Sequence, residues 1–320
     1  MNNNDRDHHI YHAHALGVAG TIVRPVPQII HSQASTALSP AGGHGSQHVE
    51  NFEVKGIVSF SSAFVEVGGS YDLDNKTHTT VSSAIIEDLN IMGVVTADRV
   101  VARLSSYYPV AAKAGSTPPD SGASSAPVKQ GTTPSAEKQG ASPEPGIIPM
   151  GSYFENLRIA GRLIDIPLET HIFSIHDTFS KVKGAHTEKD ENKNGLYPWL
   201  LCNKLVNARL KPPSLARFAN GLKELSDTHG IFICSPANHF EGELTTKKQN
   251  QGLDLFGSVI YIPSFGVIHI AELLIEQHSR RFNMIRLQMG SPVQGDLTVG
   301  AVFANGSTYP PTGPPQAPAP

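Results

Sequence analysis

Histidine is the residue type that most invites a chemical reading of this chain. His8, His9, His12 and His14 crowd the N-terminus. On an extended strand successive side chains alternate, so His12 and His14 project from one face, where two imidazoles could share a divalent ion. A solvated strand beside a polar terminus would look the same, and no cysteine or carboxylate at a defined spacing completes the set. His12 and His14 therefore stand as the metal-ligand candidates. In HIFSIHD, His171 and His176 fall on opposite faces of a strand, and they and Asp177 would converge only across a loop. His229, Cys234 and His239 bracket the apolar run IFICS, where Cys234 reads as a core thiol. Asp72 and Asp74 in YDLDNKT suggest calcium, but the further oxygen ligands and the glycine of a calcium loop are missing, so turn chemistry explains them. Arg280, Arg281 and Arg286 stand near Glu272 and Glu276 and could hold an anion; pairing of charges across adjacent strands is the commoner outcome.

Motifs with a built-in mechanism are missing. There is no GxSxG elbow, HExxH, Walker loop or GxGxxG, and no motif names a cofactor. A Ser-His-Asp set drawn from distant segments would leave no mark in residue order. Twenty-five basic against 28 acidic residues, without a basic stripe, make a nucleic-acid partner unexpected. No apolar run approaches the roughly 18 residues of a membrane-spanning helix. Cys202 and Cys234 are too few for a disulfide framework, and either one disulfide or two buried thiols fits them.

The elements that must position these groups are mostly strands. With 320 residues the chain can bury a substantial core, and 29 Gly plus 24 Pro with only 17% charged residues favour a turn-rich β protein. Residues 1–7, MNNNDRD, form a polar leader with neither the basic start nor the apolar run of an export signal. From Pro109 to Pro149 the chain turns to Ser, Thr, Pro, Gly, Ala and Lys, which cannot offset its own ordering entropy, so 109–149 is expected to be a disordered insert. Residues 309–320 form a Pro-rich tail. What remains, 8–108 and 150–308, is expected to be one β-rich domain split by the insert.

An internal repeat supports that division. VENFEVKG at 49–56, IEDLNIMG at 86–93 and FENLRIAG at 154–161 share one pattern, and AHALGVAG at 13–20 is a weaker copy. Leu89 and Ile91, like Leu157 and Ile159, are two apart and share a strand face. Gly56, Gly93 and Gly161 then mark bends before the strand resumes, and the Glu-Asn or Glu-Asp pair reads as a turn terminator. Period two also puts Phe52, Val54, Val58, Phe60 and Phe64 on one face, opposite Val65 and Val67, and sends Ala271, Leu273 and Ile275 inward with Glu272 and Glu276 outward. One helix is expected from Ser214, as its cap, through Leu222 and Leu225 to a terminating Gly230, and a shorter one from Pro198 to Leu205. The expected fold is thus mostly β: an antiparallel β-sandwich-like assembly with an internal strand-Gly-strand repeat and one or two accessory helices.

The stretch from Tyr11 to Leu104, with its YHAHALGVAG, VENFEVKG, SSAFVEVGG and VSSAIIEDLNIMGVVTADRVVARLSS, together with GSYFENLRIAG at 151–161, resembles the bacterial surface proteins of the choice-of-anchor P family. Weaker support comes from IPSFG at 262–266 and NG at 305–306. The resemblance implies a β-rich, non-enzymatic module of the cell surface or extracellular space, and the departure expected from that family is a signal peptide and a recognisable C-terminal anchor not seen in these 320 residues. The expected role is structural or interaction work, with a protein partner or self-association through an exposed strand, His8–Val23 being preferred. A fibre subunit that donates this strand and a metal-dependent enzyme on a β scaffold are the alternatives.

Overall fold

Alternating apolar and polar residues build two antiparallel sheets that face each other. The computed structural model describes residues 8–110, 144–187, 213–237, 252–277 and 279–309. Sheet A contains β1 (His8–Arg24), β2 (Gln28–Ala37), β11 (Phe232–Cys234), β12 (Asp254–Phe256), β13 (Val259–Ile262), β14 (Gly266–Ile275), β15 (Arg280–Met289) and β16 (Gln294–Tyr309). Its order is β12-β13-β14-β15-β16-β1-β2, with β11 also beside β14. Sheet B contains β3 (Gly43–Val54), β4 (Val58–Asp72), β5 (Thr77–Ile91), β6 (Val95–Pro109), β7 (Gly146–Ile148), β8 (Tyr153–Glu155), β9 (Arg158–Ile159) and β10 (Arg162–Leu163). Its order is β10-β9-β6-β5-β4-β3, and β7 and β8 also pair with β6. The mostly β, antiparallel sandwich expected from the sequence is the fold. Among the described residues three helices accompany it: α1 (His171–Ile175), α2 (Phe179–Thr187) and α3 (Pro213–His229).

The core lies between the sheets, with Ala15, Val18, Val299 and Val302 from sheet A buried, as are Ile86, Leu89, Val100 and Leu104 from sheet B. Ser82 on β5 crosses the gap and donates to the Phe303 carbonyl at 2.6 Å, with the His14 carbonyl at 3.2 Å. A polar hydroxyl is tolerated there because it satisfies backbone groups of the facing sheet.

The repeat has an origin that period two conceals. In each strong copy the third residue, Asn51, Asp88 or Asn156, has φ between +50° and +53°, within a strand for Asn51 and Asp88 and between β8 and β9 for Asn156. Asn and Asp tolerate this left-handed conformation better than other residues with a Cβ. Turning one residue this way switches the alternation, so Ile86 and Leu89, three apart, are both buried between the sheets. The Glu-Asn and Glu-Asp pairs are therefore mid-strand switches rather than turn terminators. The switch crosses the whole sheet, because register sets Asn51, Ser61, Asp88, Asp98 and Asn156 opposite one another in turn. On β4 it puts Phe60 and Val65 inside and leaves Phe64 only half-buried, which separates Phe64 from the face expected for it. Sheet A carries the same crease along Ala34, Gly17, Gly300, Met284 and Ala271, with positive φ at Ala34, Gly300 and Ala271. Gly17 is required there: a Cβ would lie 2.8 Å from the Gln33 carbonyl and 3.2 Å from the Ala63 Cβ of sheet B. The weak copy at 13–20 thus marks this crease, and its Gly20 lies within β1 instead of at a bend.

Several expectations change. β1 is bonded to β16 along its length and to β2 over His14–Ile22, with Tyr11 and Ala13 bonded to the chain at Leu38–Pro40, so most of His8–Val23 is interior to the sheet instead of an exposed edge. The insert is shorter at its C-terminal end, because Gly146–Ile148 pairs with Ser105–Tyr107 of β6; the rest of it, 111–143, lies outside the described residues. HIFSIHD begins a helix instead of a strand, with Ile172 and Phe173 buried. Gly230 follows α3 with φ +63°, where a helix stop belongs. The expected helix at Pro198–Leu205, and Cys202 and His239, fall outside the described residues, while Cys234 is fully buried on β11.

Candidate functional site

A groove of about 780 Å³ crosses the outer face of sheet A over β2, β1, β16 and β15. The crease makes it. Strand register sets His14, Phe303 and Arg281 in one outer row and Leu16, Ala301, Asn283 and Glu272 in the next. Beyond the crease, Ala19, Thr298, Arg286 and His269 form a third row on the same face. In unbroken strands Asn283 and Arg286 would point to opposite faces, as would His269 and Glu272. The left-handed Ala271, opposite Met284, brings all four to one side.

These four form a charge cluster in the groove wall. Arg286 donates through Nε to Glu272 Oε1 at 2.9 Å and through Nη2 to Oε2 at 2.7 Å. Such a two-point contact fixes the guanidinium plane. Glu272 is buried, not outward as alternation predicts, and His269 Nδ1 stands 3.7 Å from its Oε2. Burial would raise the Glu272 carboxyl; Arg286 foremost, with His269 and Asn283, overrides it and holds the group below the ordinary carboxylate range. Burial and then Arg286 pull the His269 imidazole down from 6.5 to about 4, so it is neutral at pH 7. Asn283 and Arg286 line the groove in front of this pair. Asn283 binds Glu272 through its amide, while its Oδ1 is buried with no hydrogen-bond partner among the described residues.

His12 and His14 share the outer face of β1, as alternation requires, and both are exposed. His14 lies against Ser35 Oγ at 3.1 Å and lines the groove. Partial burial and the Arg281 guanidinium hold its imidazole below the usual value, an environment that opposes a further cation. Among the described residues no group of three His, Cys, Asp or Glu side chains is arranged to hold a metal ion.

His9 points the other way. Its ring stacks on His78 at 4.0 Å and 6°, with Tyr11 edge-on at 4.6 Å, and Tyr11 Oη lies 2.8 Å from His78 Nδ1. Burial, with His78 beside it, pulls His9 down to about 4. A further cluster ties α1 and α2 to β6: Tyr107 Oη donates to the buried Asp177, which also accepts from Lys181 Nζ at 2.7 Å. Asp72 caps its own turn, accepting from the amides of Asp74 at 2.9 Å and Asn75 at 3.1 Å.

Fold and site together define an antiparallel β-sandwich with a groove on one outer face. The chain belongs to a family described as a domain of unknown function, DUF8256, whose model matches residues 9–120 and 135–276. No curated protein and no solved structure matches it. No helix among the described residues is long and apolar enough to cross a membrane.

Proposed function

We propose that this protein is a non-enzymatic interaction module of the bacterial surface or extracellular space, and that the outer face of sheet A is its working surface. The observation that carries this reading is the groove, a shaped concavity lined by a few placed polar groups over a rigid sheet. The charges in its wall favour binding over turnover. Glu272 and Arg286 satisfy each other, and His269 lies behind them, so the cluster serves to position side chains. The resemblance to choice-of-anchor P proteins supports the location. Self-association stays within the proposal through another surface, since β1 is paired on both sides over His14–Ile22. Antibody labelling and protease shaving of intact cells test it: the chain should be reached without lysis. A chain reached only after lysis would overturn the location, and turnover lost on changing Glu272 or His269 would overturn the interaction role.

A further inference from the structure

The interaction reading leaves open what the groove takes, and its chemistry narrows the answer. Arg281 is exposed at one end and pairs with no carboxylate among the described residues. At the other end stands Asp296, likewise without an ion pair among them. The two lie opposite Phe303 and Gln288, which puts them roughly 20 Å apart along the strands at about 3.3 Å per residue. That exceeds the screening length of about 8–10 Å in physiological salt, so Asp296 leaves the field of Arg281 intact. Arg286 and Glu272 cancel. The groove therefore presents one uncompensated cation and, at its far end, one anion.

Between these ends the polar lining is neutral. Thr298, Thr21 and Ser32 supply hydroxyls, with the Asn283 side chain beside them. Leu16, Ala301 and Phe303 give the floor an apolar surface. The trough lies on the face of four strands that are already bonded to one another, so an occupant could not extend the sheet by backbone pairing.

We propose that the groove binds an acidic oligosaccharide, a hydroxyl-rich chain bearing one carboxylate within the span of the site. The carboxylate meets Arg281 in a charge-assisted contact, and ring hydroxyls meet the hydroxyls of Thr298, Thr21 and Ser32. The C–H faces of the sugar lie on Leu16 and Phe303. A densely charged polyanion would meet only one free cation and then Asp296, which disfavours it. This inference rests on the interaction role proposed above.

Calorimetric titration of the full chain tests it. The probes are trisaccharides of galacturonate, glucuronate and mannuronate, sialyllactose, the neutral methyl esters of the uronates, and a glutamate-rich heptapeptide. At least one acidic saccharide should bind at micromolar to low-millimolar concentration, with its ester at least tenfold weaker. Arg281→Gln, at an exposed position, should weaken the acid form at least tenfold and leave the ester unchanged; Thr298→Val should weaken both. Equal binding of acid and ester, indifference to Arg281→Gln, preference for the peptide, or no saccharide bound at millimolar concentration would each overturn the proposal. The peptide result would leave the interaction role standing. Release of new reducing ends from a bound saccharide would instead sink the non-enzymatic reading while keeping the ligand class.

Discussion

Two histidines are held neutral by burial at opposite sides of the same sheet. His9 stacks between the sheets on His78, and His269 backs the groove; both have pKa values pulled from 6.5 to about 4. The unfolded chain takes up protons near 6.5 that the folded chain refuses until about 4. Stability from these sites is therefore fully present above pH 6.5 and is lost as pH falls toward 4. Denaturant midpoints measured from pH 7.5 to 4 should fall through that window, and His9→Phe should flatten part of the drop. A midpoint insensitive to pH across the window would refute burial as the cause. Both shifts run from 6.5 to about 4, so His269 and His9 should contribute comparably.

At the scale of elements, the repeat couples two backbone devices: a left-handed residue that switches the face within a strand and a glycine that closes a hairpin. Met92 and Gly93 both have positive φ, +54° and +66°, which is the two-residue turn matched to strand twist. Val94 N bonds Ile91 O at 2.9 Å across it, and Gly93 N bonds Asn90 Oδ1 at 2.8 Å. A Cβ on Gly93 would touch nothing within 4 Å, so the cost of a substitution there is conformational alone. Gly93→Val should lower stability by about 1–3 kcal/mol. Met92→Asn, which suits the turn, should raise it by about 0.5–1 kcal/mol. Both are read from denaturant midpoints, and a neutral Gly93→Val would mean that the turn relaxes to another type.

For the whole molecule, the chain enters sheet A with β1, crosses to sheet B, and returns to sheet A, so β16 closes on β1. Removing residues 1–24 takes out a central strand together with Ala15, Val18 and Ile22 of the core. The truncated chain should lose its cooperative thermal transition and most of its β circular dichroism. Retention of both would show that β16 can find another partner. The crease of sheet A faces small residues of sheet B: a Cβ at Gly300 would lie 3.6 Å from the Ala102 Cβ, as one at Gly17 would lie 3.2 Å from the Ala63 Cβ. The sheets thus approach closely along the crease of sheet A, and that same crease opens the groove on the outside.

Residue order alone determined the fold class, the punctuation at Gly93 and Gly161, and the stop at Gly230, because turns and alternation depend on neighbours a few positions away. It also displayed the repeat, whose apolar first and fourth residues were the one available sign of a switch. That sign was legible only with the left-handed residue between them, since period two otherwise sends Ile86 and Leu89 to opposite faces. Sheet A gave less warning, because its switches fall on Ala34, Ala271 and Gly300, and nothing local marks an alanine for positive φ. Tertiary structure decided the rest: that β1 lies inside its sheet, that Glu272 is buried, and that His269, Glu272, Asn283 and Arg286 meet. Those facts depend on which strands pair and on a backbone conformation that long-range packing imposes, and neither is encoded in the spacing of residues along one strand.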